Sequence, residues 1–174
     1  GTLSEPASAM LHEAGYRQRK DRKELALIDA ENHVEFFYLR PRDIAVYVGS
    51  GTLDIGITGR DLLLDSGAPD EEIMRLGFGA STLRYAARPG TVTDVREFGG
   101  LKVATSFAGL VADVVETGTT LRNAGLEVIG EPVLESEAVV IRREGGDPAN
   151  GRVQQFLRRL QGVLVARRYV MMDY

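Results

Sequence analysis

Leu53-Asp54-Ile55-Gly56-Ile57-Thr58-Gly59-Arg60-Asp61-Leu62 is an apolar strand running through a glycine turn into the start of a helix. The spacing predicts a strand over 53–57 and a helix that continues through Leu64. The same step recurs where residues 111–115 run into Glu116-Thr117-Gly118-Thr119-Thr120 and a helix start at 121–124. Upstream, Ser4 stands where an N-cap belongs, and Ala7, Met10, Leu11 and Ala14 repeat at helical spacing up to Gly15. Residues 25–30 and 34–39 flank Glu31-Asn32-His33 and predict a hairpin. Pro41 and Asp43 open a second helix, closed by Gly49-Ser50-Gly51. Residues 74–78, 83–87, 101–105 and 138–142 read as strands. Val153, Phe156, Leu157, Leu160 and Leu164 share the face of a late helix, and 169–172 reads as a last strand. Strands alternating with helices imply an α/β fold with a largely parallel sheet. In such sheets ligands bind beyond the carboxyl ends of strands, where both glycine turns fall.

Composition narrows the classes. The chain has 174 residues and a formal net charge of −4, which argues against nucleic-acid binding. It has no cysteine, so disulfides, thiolate metal sites and Cys nucleophiles are excluded. His12 and His33 are the only histidines, too few for a multi-histidine zinc site. No apolar run approaches the ~18 residues of a membrane span, and no secretion signal is evident. A cytoplasmic enzyme with no membrane partner is the expectation.

Two turns carry candidate chemistry. In Asp113-Val114-Val115-Glu116-Thr117-Gly118-Thr119-Thr120, backbone N–H groups and threonine hydroxyls at a helix start would make a phosphate cradle, with Gly118 allowing close approach. Plain helix capping explains the same residues equally well. In the first turn, Thr58 and Gly59 would meet an anion, Arg60 would supply charge and Asp61 would accept from a hydroxyl or amino group. An ordinary N-cap at Asp61 is the competing reading. Arg40-Pro41-Arg42-Asp43 puts two guanidinium groups at a strand end, suited to phosphate. An Arg42–Asp43 surface pair is the plainer account of Arg42. Arg17, Arg19, Lys20, Arg22 and Lys23 read as a solvated charged face.

Taken together, the runs at 1–7, 36–51 and 53–62 resemble the first lobe of ATP phosphoribosyltransferases, closest to the long-form actinobacterial type. Residues 113–120 resemble that family's phosphoribosyl-phosphate loop, Gly130-Glu131-Pro132 and Ser136-Glu137-Ala138-Val139 resemble the region after it, and 169–174 resembles the end of the catalytic core. The family pattern has a strand and a basic loop before the position of Gly1, and a long stretch where only 107–112 stands here. A regulatory domain would follow Tyr174. The resemblance therefore implies a two-lobed, periplasmic-binding-protein-like α/β fold with an incomplete second lobe. The first lobe would comprise 1–88 and 144–174, and the second 89–143.

What the resemblance implies chemically is phosphoribosyl transfer from phosphoribosyl pyrophosphate to N1 of ATP, the first step of histidine biosynthesis, with Mg²⁺ and allosteric regulation. Glu116 and Arg40 take catalytic roles. Asp113, Thr117, Gly118, Thr119 and Thr120 hold phosphoribosyl pyrophosphate, and Gly59, Asp61 and Leu62 line the facing lobe. No residue is assigned as a metal ligand, and a homo-oligomer, dimer or hexamer, is expected. Another phosphoribosyltransferase, a solute-binding protein and a silent fragment remain alternatives at this point.

Overall fold

The computed structural model describes residues 3–99, 113–115, 123 and 125–170. The elements are α1 (Ser4–Glu13), β1 (Ala26–Asp29), β2 (Val34–Phe37), α2 (Pro41–Gly49), β3 (Ile55–Gly59), α3 (Arg60–Ser66), β4 (Asp70–Arg75) and β5 (Ser81–Ala87), then β6 (Asp113–Val115), β7 (Glu127–Ser136), β8 (Ala138–Arg143) and α4 (Gly151–Val170). A short 3₁₀ turn, Val95–Phe98, follows β5. The strands form a hairpin β1-β2 and two three-stranded sheets, β3-β8-β4 and β6-β5-β7.

β8 is the centre of the first sheet. Ala138, Val139, Val140 and Ile141 are all fully buried, as a continuous apolar run demands when both sheet faces are covered. Ala138 and Val140 join Met10, Leu11, Phe156 and Leu160 beneath α1 and α4. Val139 and Ile141 meet Ala45, Val48 and Leu63 beneath α2 and α3. Gly56 lets α2 lie close, because a Cβ there would stand 2.6 Å from Ile44 Cγ2.

Every strand pairing among the described residues is antiparallel. The expectation of a largely parallel sheet is corrected on this point. β3 and β4 do run the same way across the α3 connection, but β8 lies between them and pairs with both. Parallel strands are thus next-nearest neighbours.

Other expectations hold with shifts. The hairpin pairs Ala26 with Phe37 through Asp29 with Val34, and its turn is organised by Asp29. This carboxylate, 3% exposed, accepts from the Arg17 N–H and from Asn32 N and Nδ2. Burial alone would raise its pKa, but those hydrogen bonds hold it below the usual value. Helix α1 begins at Ser4 with Leu3 as N-cap and no side-chain cap, because Leu3 is drawn inward over Gly59 and Gly79. Asn150 caps α4, its Oδ1 accepting from Arg152 N and Val153 N. The strand expected at 169–172 is not formed at its start. α4 continues to Val170, with no glycine or proline after Gly162 to stop it and an Arg167–Glu13 ion pair at 2.7 Å tying its end to α1. Residues 101–105 and 171–174 lie outside the described set.

The two larger sheets are joined by two chain crossings. β4 passes through 76–80 into β5, and β7 passes through Glu137 into β8. Backbone bonds Leu76 N to Ala138 O (3.0 Å) and Ala138 N to Phe78 O (2.9 Å) lace the crossings together. By strand pairing β5 therefore belongs with the second sheet and β8 with the first.

Two stability outcomes follow from this core. Leu160 is fully buried, so Leu160→Ala should cost about 2–5 kcal/mol in urea unfolding. Both carboxylate oxygens of Asp70 are buried without a hydrogen-bond partner, and burial raises its pKa. A raised folded pKa means the native state holds its proton longer, so this group costs stability as pH rises through that pKa. Asp70→Asn should gain about 1 kcal/mol at neutral pH, and the gain should shrink toward the unfolded carboxylate range near ~4. Unfolding midpoints at several pH values check this.

Candidate functional site

The turn from β3 into α3 is built by ties to both neighbours. Thr58 is buried, and its hydroxyl donates to the Pro41 carbonyl at 3.3 Å, joining β3 to the start of α2. Gly59 is the N-cap of α3 and offers no side chain to it. The first two helix N–H groups are instead satisfied from the β7–β8 junction. Arg60 N donates to Glu137 O at 3.0 Å, and Asp61 N donates to Ser136 Oγ at 3.0 Å.

Arg60 is occupied as well. Its Nε and Nη2 each reach the Glu72 carboxylate at 2.8 Å, and Nη2 lies 3.5 Å from Glu137 Oε1. The hydrogen bond from Arg60 holds the Glu72 carboxyl below its usual range despite partial burial. Glu137 Oε2 also accepts from Gly77 N at 3.1 Å. The three side chains clamp the crossings between sheets.

These facts correct the reading of this turn as an anion site. The Thr58 hydroxyl, the first two N–H groups of α3 and the Arg60 guanidinium all have protein partners. What the turn leaves for a ligand is an acceptor: Asp61, whose Oδ1 takes a 2.7 Å hydrogen bond from Ser136 Oγ. Asp61 is not the N-cap either.

Asp61 opens onto a cavity of about 520 Å³, a volume in the range of small-molecule sites. Gly59, Leu62, Gly79, Ser81 and Ser136 line it with Asp61. Ser4, Ser8, Gln18, Arg19 and Tyr38 contribute further polar groups to its lining. Consecutive residues of β2 and β3 line it too, so strand edges face the space rather than sheet surfaces.

Of the residues singled out from sequence, the structure gathers Gly59, Asp61 and Leu62 at one wall. Arg40 caps α2 from an exposed position and does not line the cavity. Arg42 pairs with Asp65 of α3 at 3.3 Å. Asp113 sits in β6 opposite Arg84 of β5. Glu116, Thr117, Gly118, Thr119 and Thr120 lie outside the described residues.

Sequence reasoning gave no role to Ser136 and Glu137, which cap and clamp the turn. A polar pair set between two apolar strand runs was the available signal. It also took Arg19 for a solvated charge. Its guanidinium lies over the Tyr38 ring at 3.9 Å from the centroid and donates to the Arg22 and Glu24 carbonyls.

Known proteins place this arrangement. The family model described as HisG, ATP phosphoribosyltransferase, matches residues 40–112 and 108–162. The ATP phosphoribosyltransferase of Streptomyces avermitilis is 58% identical over 209 aligned positions, covering all of this chain and 73% of the relative. That of Streptomyces coelicolor is 57% identical over the same span, and that of Arthrobacter sp. 53% over 210 positions. Because this chain has 174 residues, the relatives carry residues inside the aligned span that it lacks. The two family-model blocks meet at 108–112, within the stretch that reads as too short. The solved ATP phosphoribosyl transferase (HisG:HisZ) complex from Thermotoga maritima has a similar fold, with a TM-score of 0.75 at 21% identity, covering 95% of this chain and 96% of that one. The mixed α/β topology and the sequence likeness along its whole length agree: the chain belongs to the ATP phosphoribosyltransferase family.

Proposed function

We propose that this chain transfers the phosphoribosyl group of phosphoribosyl pyrophosphate to N1 of ATP with release of pyrophosphate, opening L-histidine biosynthesis in the cytoplasm. The observation that carries the reading is 58% identity along all of the chain to a relative of that name. The cavity supports it by offering a small-molecule space walled by Asp61.

In this reading the sheets β3-β8-β4 and β6-β5-β7 are the cores of two lobes of a periplasmic-binding-protein-like fold. The first lobe was expected to comprise 1–88 and 144–174 and the second 89–143; a division drawn by sheet membership would instead follow the crossings at 76–80 and 137. Substrates meet between the lobes, where positioning two reactants removes much of the entropic barrier.

The bond that breaks is at the anomeric carbon, so positive charge develops on the ribose ring, as in glycoside chemistry. Thr117, Gly118, Thr119 and Thr120 hold the 5′-phosphate, with Asp113 before them. Glu116 stabilises the charged sugar or holds its hydroxyls. Arg40 neutralises the leaving pyrophosphate, and its exposed position outside the cavity makes approach to the substrate part of the proposal. Gly59, Asp61 and Leu62 receive ATP, Asp61 accepting from a hydroxyl or the amino group. N1 of adenine already has a lone pair, so no general base is assigned.

Among the described residues no three His, Cys, Asp or Glu side chains converge to hold a metal. Mg²⁺ is expected with a pyrophosphate substrate, which supplies oxygen ligands of its own. Among the described residues no helix is long and apolar enough to cross a membrane. A homo-oligomer, dimer or hexamer, is part of the proposal.

The experiment is formation of phosphoribosyl-ATP from ATP, phosphoribosyl pyrophosphate and Mg²⁺. Its absence with correctly folded protein rejects the reading. Thr117→Ala combined with Thr119→Ala should weaken phosphoribosyl pyrophosphate binding by at least about tenfold, as loss of two hydroxyl contacts allows. ATP binding should stay within about twofold, and equal losses for both ligands would reject the loop assignment.

A further inference from the structure

Ser136 ends β7 with only 5% of its surface exposed. Both of its contacts are with one residue of another layer: Oγ accepts the Asp61 N–H at 3.0 Å and donates to Asp61 Oδ1 at 2.7 Å. A serine has one hydroxyl proton, and here it is spent on the carboxylate. Oδ2 of Asp61 keeps no protein partner among the described residues.

A second observation bears on the same carboxylate. A Cβ at Gly59 would collide with Asp61 Oδ1, so the bare Cα leaves the space that this side-chain position needs. Gly59 provides room and Ser136 provides the hold.

The origin of the cap matters. Helix α3 lacks a side-chain cap of its own, and residues at the end of β7 supply one. Asp61 is thereby referenced to the β6-β5-β7 sheet rather than to its own helix alone. A carboxylate that must meet ligand donors in a shared cavity benefits from such a reference, because small misplacements are costly in positioned sites.

We propose that Ser136 is a positioning residue for ATP recognition: it orients Asp61 so that Oδ2 accepts a hydroxyl or amino hydrogen of ATP. This rests on the proposed function in assigning ATP to the Asp61 wall. Ser136 itself touches no substrate.

The test is calorimetric binding of ATP alone and of phosphoribosyl pyrophosphate alone to the full chain. Ser136→Ala should weaken ATP binding about tenfold and leave phosphoribosyl pyrophosphate binding within about twofold, as loss of one hydrogen bond to a charged group allows. Ser136→Thr, which retains the hydroxyl, should recover most of the loss. In an Asp61→Ala background Ser136→Ala should add nothing, since neighbours acting through one another are non-additive. Gly59→Ala, whose Cβ would displace the same carboxylate oxygen, should give the same ATP-selective loss and serves if Ser136→Ala melts early.

Equal weakening of both ligands, or an undiminished Ser136→Ala effect without Asp61, would overturn the proposal. ATP binding is read here without turnover. A chain that binds ATP but forms no phosphoribosyl-ATP overturns the reaction and leaves this test standing, whereas one that does not bind ATP removes both.

Discussion

Four consecutive residues of β8, Ala138 to Ile141, are shut away from water on both faces of a three-stranded sheet, and the other layers are arranged to make this possible. Full burial of the two valines and the isoleucine contributes on the order of 1.5–3 kcal/mol each, but only if both faces are covered. α1 and α4 cover one face while α2 and α3 cover the other. The close approach of α2 depends on Gly56, and the depth of α4 on Phe156 and Leu160. β8 also sets the polarity of the sheet, because its insertion separates the strands that the helix connection would otherwise leave adjacent.

Having β8 at the centre places the β7–β8 junction at the first-sheet wall of the cavity. The chain leaves β7, turns at Glu137 and immediately enters the core, so Ser136 and Glu137 stand where the two sheets meet. Arg60, with Glu72 and Glu137, closes this junction. Partly buried ion pairs of this kind are weak evidence for stability, since desolvation offsets much of their attraction. Their effect here is geometric. Arg60 holds the start of α3 against the crossings, and Ser136 then meets Asp61 at a fixed height.

The sequence made the first layers legible and the second sheet much less so. Pro41 at a helix start and the apolar run of β8 each announce their structure locally, and so does the alternation of the hairpin. β4 was misplaced by several residues because Asp70-Glu71-Glu72 does not read as strand. Two of those charges find partners across the fold: Glu71 lies opposite Arg142, which it meets at 2.7 Å, and Glu72 meets Arg60. β7 was obscured by Gly130 and Pro132, which interrupt its pattern. The β5–β7 register shifts between Leu83 and Tyr85, where their β7 partners jump from Leu134 to Ile129 and skip that segment. The turn at Thr58–Asp61 was located correctly, but which of its donors are free was not legible. Which donors are already satisfied depends on Pro41, Glu72, Ser136 and Glu137, whose proximity no local pattern reveals.

That last point divides the binding work. A strand-to-helix glycine turn is usually a source of free N–H groups, and free N–H groups suit anions. At Gly59 those donors are consumed by Glu137 O and Ser136 Oγ, and the nearby guanidinium is neutralised by two carboxylates. An anion brought to this wall would meet Asp61 and little compensating charge, a repulsion without a partner. The wall therefore suits the donor-bearing part of a ligand, such as a hydroxyl or an exocyclic amino group. Phosphate contacts must come from elsewhere in the chain, which is the role proposed for the second turn and its threonines. In the proposed reading, two turns of similar sequence take opposite parts. The difference arises from what the fold sets beside the first one.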